Sequence, residues 1–160
     1  MAKHKIREAS SRDYKNIISI VENVFRYYRL DLVAHHEVPD LLDIAAHYTR
    51  NGNRLFIAEI KGKCLGCSAL HMNNGSTEVK RVYVEPEFWD YGLDLSLVKY
   101  SICTAQEYGE TCVNHWIDTR FEHEQRSFEL MGFVYTGRVR PLFDINKSYE
   151  YHYHKTLNGK

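Results

Sequence analysis

Two short apolar runs separated by a tight turn constrain this chain more than any other feature. Leu55-Phe56-Ile57-Ala58-Glu59-Ile60 and Cys64-Leu65-Gly66-Cys67-Ser68-Ala69-Leu70 are each of strand length, and Lys61-Gly62-Lys63 between them is a hairpin signal. Asn73-Asn74-Gly75 marks a second turn. Glu78-Val79-Lys80-Arg81-Val82-Tyr83-Val84 then reads as a further strand, closed by Pro86. A sheet begun this way needs helices to cover it, and the flanking sequence supplies them.

Ahead of the hairpin, residues 5–9 read as a short strand, and Ser10, Ser11 and Asp13 offer N-cap oxygens for a helix. Ile17, Ile18, Val21, Val24 and Phe25 form its 3.6-residue apolar stripe. A loop then carries His35 and His36. Pro39 and Asp40 start a second helix that runs through Tyr48 and stops at Asn51-Gly52-Asn53. After Pro86, residues 92–107 read as a helix with Leu93, Leu97, Tyr100 and Ile102 on its apolar side, and Gly109 is its C-cap. A strand over 112–118, a short helix over 122–131 ending at Gly132, and strands over 133–140 and 148–156 complete the order β-α-α-β-β-β-α-β-α-β-β. This predicts one α/β domain spanning residues 1–160, with a mixed, mostly antiparallel sheet of about seven strands flanked by four helices. A chain of 160 residues buries enough surface to need neither disulfide nor metal.

Lys plus Arg number 21 and Asp plus Glu 21, so the basic excess typical of nucleic-acid binders is missing. No apolar run approaches the roughly 20 residues of a membrane span, and the first residues hold no signal-peptide core. The expected localisation is cytoplasmic, with neither nucleic acid nor membrane as partner. Cys64 and Cys67 form a CxxC inside a strand, where residues three apart point to opposite faces, so reduced buried thiols are expected. His152 and His154 share one strand face and His35-His36 form another pair, but neither pair has a clear third ligand, and no metal site is expected.

Three segments resemble the GNAT superfamily of acyl-CoA N-acyltransferases. The hairpin from Phe56 to Gly66 resembles the family's second and third strands. Glu78-Val79-Lys80-Arg81-Val82-Tyr83-Val84-Glu85-Pro86-Glu87-Phe88 is similar to its fourth strand and the turn after it. Phe128-Glu129-Leu130-Met131-Gly132-Phe133 resembles the short helix leading into its sixth strand. The resemblance implies acetyl-CoA as acyl donor. It places the pantetheine arm on the backbone of Val82, Tyr83 and Val84 and the pyrophosphate on the segment Trp89, Asp90, Tyr91, Gly92, Leu93 and Asp94. The chemistry there is that of a helix N-terminus, where unpaired N–H groups and the positive dipole end meet an anion. Glu78 matches a position that the family uses as general base, and Tyr83 is a candidate proton donor, with Tyr135 as another.

Several positions depart from the family pattern. Of the family's Arg/Gln-x-x-Gly-x-Gly/Ala only Gly92 survives, with Trp89 and Asp94 at the two ends. Carboxylates at about 5 Å from a phosphate repel it by roughly 3 kcal/mol at an effective dielectric near 20. Asp90 and Asp94 alternatively serve as first-turn residues that favour the helix dipole. Phe128 stands where the family often has a proton-donating Tyr, and Glu124 where it often has Ala. Three functions remain open on these residues. The first is acyl transfer from acetyl-CoA to an amine of a small molecule or protein. The second is a GNAT-fold binding or regulatory protein without CoA-dependent activity. The third is an acyltransferase fed by a carrier-protein-bound acyl chain. GNAT-like chains often pair, so a homodimer is an expected assembly.

Overall fold

The computed structural model describes residues 3–50, 52–73 and 75–158. Met1, Ala2, Asn51, Asn74, Gly159 and Lys160 lie outside the described residues, and with them part of the two turns expected at 51–53 and 73–75. Strand β1 (Lys5–Glu8) leads through a 3-10 turn (Ser11–Asp13) into helix α1 (Tyr14–Tyr27), and three single-turn helices follow: α2 (Ala34–Glu37), α3 (Pro39–Leu42) and α4 (Ile44–His47). Next come β2 (Arg54–Ile60), β3 (Lys63–His71) and β4 (Glu78–Val84), a 3-10 segment (Pro86–Tyr91) and helix α5 (Leu93–Glu107). Strand β5 (Cys112–Asp118), helix α6 (Glu122–Leu130), β6 (Val134–Pro141) and β7 (Tyr149–Thr156) close the chain.

The strands form one seven-stranded sheet in the order β1-β2-β3-β4-β5-β7-β6. Every neighbouring pair is antiparallel except β4 and β5, which run parallel. Lys61 and Gly62 at the β2–β3 turn both have positive φ, the geometry a two-residue hairpin needs to match strand twist. Strand β3 is buried at seven successive positions, so both of its faces are covered. Helices α1 and α5 supply the covers, both packing on β3 and β4. Gly66 permits that closeness: a Cβ there would lie 2.9 Å from Val84 and 3.1 Å from Leu97 of α5.

The helix expected over residues 39–48 is broken. Pro39 opens α3, and Asp43 separates it from α4, capping the latter by accepting the Ala46 N–H at 3.2 Å. His35 and His36, expected in a loop, form the turn α2. Tyr100, expected on the buried side of α5, is 44% exposed and leans edge-on against Phe56. Cys64 and Cys67 are both buried, with a bulge between them in the β2–β3 register. Burial raises the Cys64 thiol to about 11. Among the described residues, no helix is long and apolar enough to cross a membrane.

Candidate active site

The site begins where two parallel strands part. β4 and β5 pair only at Glu78 and Asn114, beside the Asn114 N–H that donates to Thr77 O at 2.9 Å. Beyond that point they splay, and the gap opens a cleft of about 820 Å³. β4 also carries a bulge. Cys67 faces Tyr83 and Ala69 faces Lys80, so Arg81 and Val82 on β4 stand opposite the single residue Ser68. Arg81 takes φ +56°, a left-handed backbone that a non-glycine residue holds only when its surroundings impose it. Its guanidinium is clamped by Asp40 of α3, with Nη2 to Oδ1 at 2.7 Å and Nε to Oδ2 at 3.2 Å. Tyr48 donates its hydroxyl to the same carboxylate at 2.5 Å, and Cys67 donates its thiol to Arg81 O at 3.2 Å. Burial works against the Asp40 charge, but Arg81 and Tyr48 more than offset it and hold the carboxyl below its usual range.

Glu78, Lys80, Arg81, Val82 and Tyr83 all line this cleft. A structural Glu78 at the start of the strand would pair with its neighbours Lys80 or Arg81. Arg81 instead pairs with Asp40. Tyr83 is reached by the cleft, and burial raises its phenol well above the ordinary value, so it keeps its proton. Tyr135 lies elsewhere, on β6 against Tyr151 and Tyr153, and does not join the site.

His115 and Glu124 were not among the sequence candidates for proton chemistry. His115 on β5 points its Nδ1 at Val79 O at 2.6 Å, and a carbonyl only accepts, so Nδ1 carries hydrogen. Its Nε2 meets Glu124 Oε1 at 2.8 Å, and the ring stacks on Phe128 with centroids 4.0 Å apart. One proton is therefore shared between Nε2 and the carboxyl. Burial pushes Glu124 upward, and His115 only partly reverses that. Glu124 stands where the family often has Ala, and it borders both the cleft and the narrow space beside it. Sequence alone gave no signal for the pair, because its members come from different elements.

That narrow space is the expected donor path. It runs beside Val82, Val84, Asp94 and Phe128 and has a volume of only about 30 Å³. Trp89 closes it. The indole donates to Val84 O at 2.9 Å, lies flat on His123 with centroids 4.6 Å apart, and meets Tyr27 edge-on at 4.6 Å. Behind it Tyr28 stacks on Phe121 at 4.5 Å. Asp94, expected to face the anion or favour the dipole, is buried in the first turn of α5 and turned toward α6. It bonds His123 Nε2 at 3.1 Å and the Ser127 hydroxyl. These bonds, with the Leu95 N–H, outweigh burial and keep its carboxyl below the usual range. Gly92 precedes α5 with φ +70°, the left-handed conformation that its missing Cβ allows. Asp90 and Tyr91 lie in the 3-10 segment, Tyr91 beside Phe88. Around Trp89 and the start of α5 the side chains leave only this narrow space.

The far wall of the cleft is the connection between β6 and β7. Asn146 ties it to the α1–α2 segment, accepting the Asp31 N–H at 3.0 Å and donating to Asp31 O at 2.7 Å. Leu142, Phe143 and Ile145 of this connection line the cleft while remaining 42%, 90% and 58% exposed. On β7, His152 and His154 both reach Asn114 Oδ1, at 2.9 and 3.1 Å.

A splayed parallel pair inside an otherwise antiparallel sheet, with a bulged central strand facing the gap, defines an acyltransferase-like α/β fold. Residues 19–133 match the model of the acetyltransferase (GNAT) family, and the chain belongs to that family. A GNAT-family acetyltransferase from Staphylococcus aureus Mu50 superposes with a TM-score of 0.82 at 16% identity, covering 98% of this chain and 100% of the other. An acetyltransferase from Streptococcus agalactiae 2603 gives 0.80 at 16% identity, covering 96% and 98%. YncA from Salmonella typhimurium, solved with its cofactor acetyl-CoA, gives 0.76 at 19% identity, covering 98% and 95%. No curated protein sequence matches significantly.

Proposed function

We propose that this protein is an N-acyltransferase that moves an acyl group from acetyl-CoA to the amine of a small molecule held in the β4–β5 cleft. The observation that carries the reading is the bulged, splayed β4, which lines one cleft with Glu78, Val82 and Tyr83 and the narrow space beside it with Val82, Tyr83 and Val84. When bound, the donor supplies an activated acyl group as a thioester. The backbone of Val82, Tyr83 and Val84 and the N-terminus of α5 at Gly92 to Asp94 would hold it. Glu78 takes the proton from the acceptor ammonium, because only the neutral amine is nucleophilic. The pair His115 and Glu124 keeps one mobile proton at the junction of cleft and donor path, where Phe128 has none to give.

The narrow donor path favours a second reading, a GNAT-fold binding protein in which Trp89, His123 and Asp94 seal the family's CoA site permanently. Calorimetric titration with acetyl-CoA and with CoA, at low and moderate salt, separates the two. Saturable binding supports acyl transfer. No heat up to millimolar ligand removes it and leaves the binding protein.

A further inference from the structure

The ionic groups of the cleft are mostly paired within the chain. Arg81 holds Asp40, Arg140 holds Glu150 at 3.0 Å, Arg120 holds Asp118 at 2.8 Å, and His115 meets Glu124. Glu37 accepts the Val33 N–H at 2.7 Å, and Asp144 accepts from Ser148. Those last two carboxylates take only neutral donors, and His36 lines the cleft as well. Among the described residues, neither Glu78 nor Lys80 has an ion-pair or side-chain hydrogen-bond partner, although both line the cleft. They lie two apart on β4, ahead of the bulge, with buried Val79 between them turned the other way. Residues so spaced on a strand share a face at roughly 6–7 Å. Strand β4 therefore presents a carboxylate and an ammonium to the cleft, side by side on one face, with no side chain bonded to either among the described residues. Lys80 is half-buried; burial and the neighbouring Arg81 disfavour its charge, Glu78 and Asp40 favour it, and burial prevails.

A ligand that satisfies both groups carries an ammonium and a carboxylate a few ångströms apart. A polyamine would set a cation against Lys80, and a simple monoamine would leave Lys80 bare. The β6–β7 connection adds three apolar side chains to the lining, beside Asp144 and Ser148. Leu142, Phe143 and Ile145 are exposed at the rim, whereas the Trp116 ring is already covered by the Arg140 guanidinium at 4.0 Å.

We propose that the acceptor is a free α-amino acid bound as its zwitterion, with its ammonium on Glu78, its carboxylate on Lys80, and an aliphatic or aromatic side chain against Leu142, Phe143 and Ile145. This names the substrate class of the acyl-transfer reading and rests on it, but the binding step is measurable without any donor.

The test is calorimetry of the full chain with phenylalanine, leucine, phenylalaninamide, N-acetylphenylalanine, phenethylamine and spermidine, with no CoA present. Phenylalanine and leucine saturate the site. The amide and phenethylamine, which lack the carboxylate, and N-acetylphenylalanine, which lacks the ammonium, bind about tenfold more weakly or worse. Lys80→Met brings phenylalanine and its amide to the same affinity, and Glu78→Gln removes the advantage over the N-acetyl compound. The proposal is overturned if neither amino acid binds up to millimolar concentration, or if the amide or spermidine binds as tightly. It is also overturned if Lys80→Met keeps the preference for the carboxylate. Acyl transfer to amines without preference for free amino acids defeats this proposal alone. Amino-acid binding without acyl transfer defeats the acyltransferase reading and leaves the zwitterion site.

Discussion

Replacing Trp89 with Ala should tighten the binding of acetyl-CoA. The indole must leave its place before a pantetheine arm can lie on β4, and leaving breaks the bond to Val84 O, the stack on His123 and the edge contact with Tyr27. A net hydrogen bond contributes roughly 0.5–1.5 kcal/mol and an aromatic pair a similar amount. Allowing for partial replacement by water, displacement costs about 1.5–3 kcal/mol, which is roughly 10- to 150-fold in Kd. Trp89→Ala removes that cost. Trp89→Phe keeps the ring contacts but loses the N–H donor, so it should gain only about 2- to 12-fold. The assay is calorimetric titration of wild type and both variants with acetyl-CoA, after thermal melts confirm that each is folded. A folded Trp89→Ala protein that binds acetyl-CoA no better than wild type would refute the reasoning, because the indole would then not stand in the donor's way.

Further outcomes follow from the buried polar groups. Asp40→Asn leaves the Arg81 guanidinium without its counter-charge, and breaking a buried pair in this way costs about 3–5 kcal/mol. That corresponds to a fall in Tm of roughly 6–20 °C, and a shift under 3 °C by calorimetry would contradict the clamp. Because Asp40 is held below its usual range, its contribution is complete above its unfolded pKa of about 3.9 and is lost as pH falls through the native value. The gap between wild type and Asp40→Asn should therefore narrow in acid, as followed by urea unfolding. His71 is shifted the other way: burial lowers its pKa to about 4, and its Nε2 has no partner among the described residues. The unfolded chain takes up that proton first, so wild type loses stability between about pH 6.5 and 4, and His71→Phe should flatten that slope. Glu124→Leu strands His115 Nε2 and should cost about 1–3 kcal/mol in unfolding free energy, whereas Glu124→Gln should cost less and still lower turnover.

The frame of the fold was legible because it rests on local signals. The turn at Lys61 and Gly62, the stripe of α1 and the stop at Gly132 each act within a few residues. The second helix was misjudged for a local reason too, since Asp43 can end one turn and cap the next. Much of the site was not legible. At the bulge Arg81 is held by Asp40, 41 residues away in sequence, and no pattern within β4 announces it. Asp94 was assigned to the anion site because the family motif places a small residue there. Its direction is decided by Ser127 and His123 on α6, which sequence spacing does not bring near. Glu124 drew attention only as a departure from Ala, while its partner His115 and the closure of the donor path by Trp89 emerge from three-dimensional contact alone.

In the proposed reaction this chain acylates an amine with Glu78 as base. Incubation with acetyl-CoA and a panel of amines and amino acids, read by mass spectrometry of the product and by thiol release, tests it directly. The account predicts an N-acetylated product formed with one thiol released per acetyl transferred, and a rate reduced about 100-fold or more in Glu78→Gln. Absence of product from every acceptor, or full activity in Glu78→Gln, would contradict it.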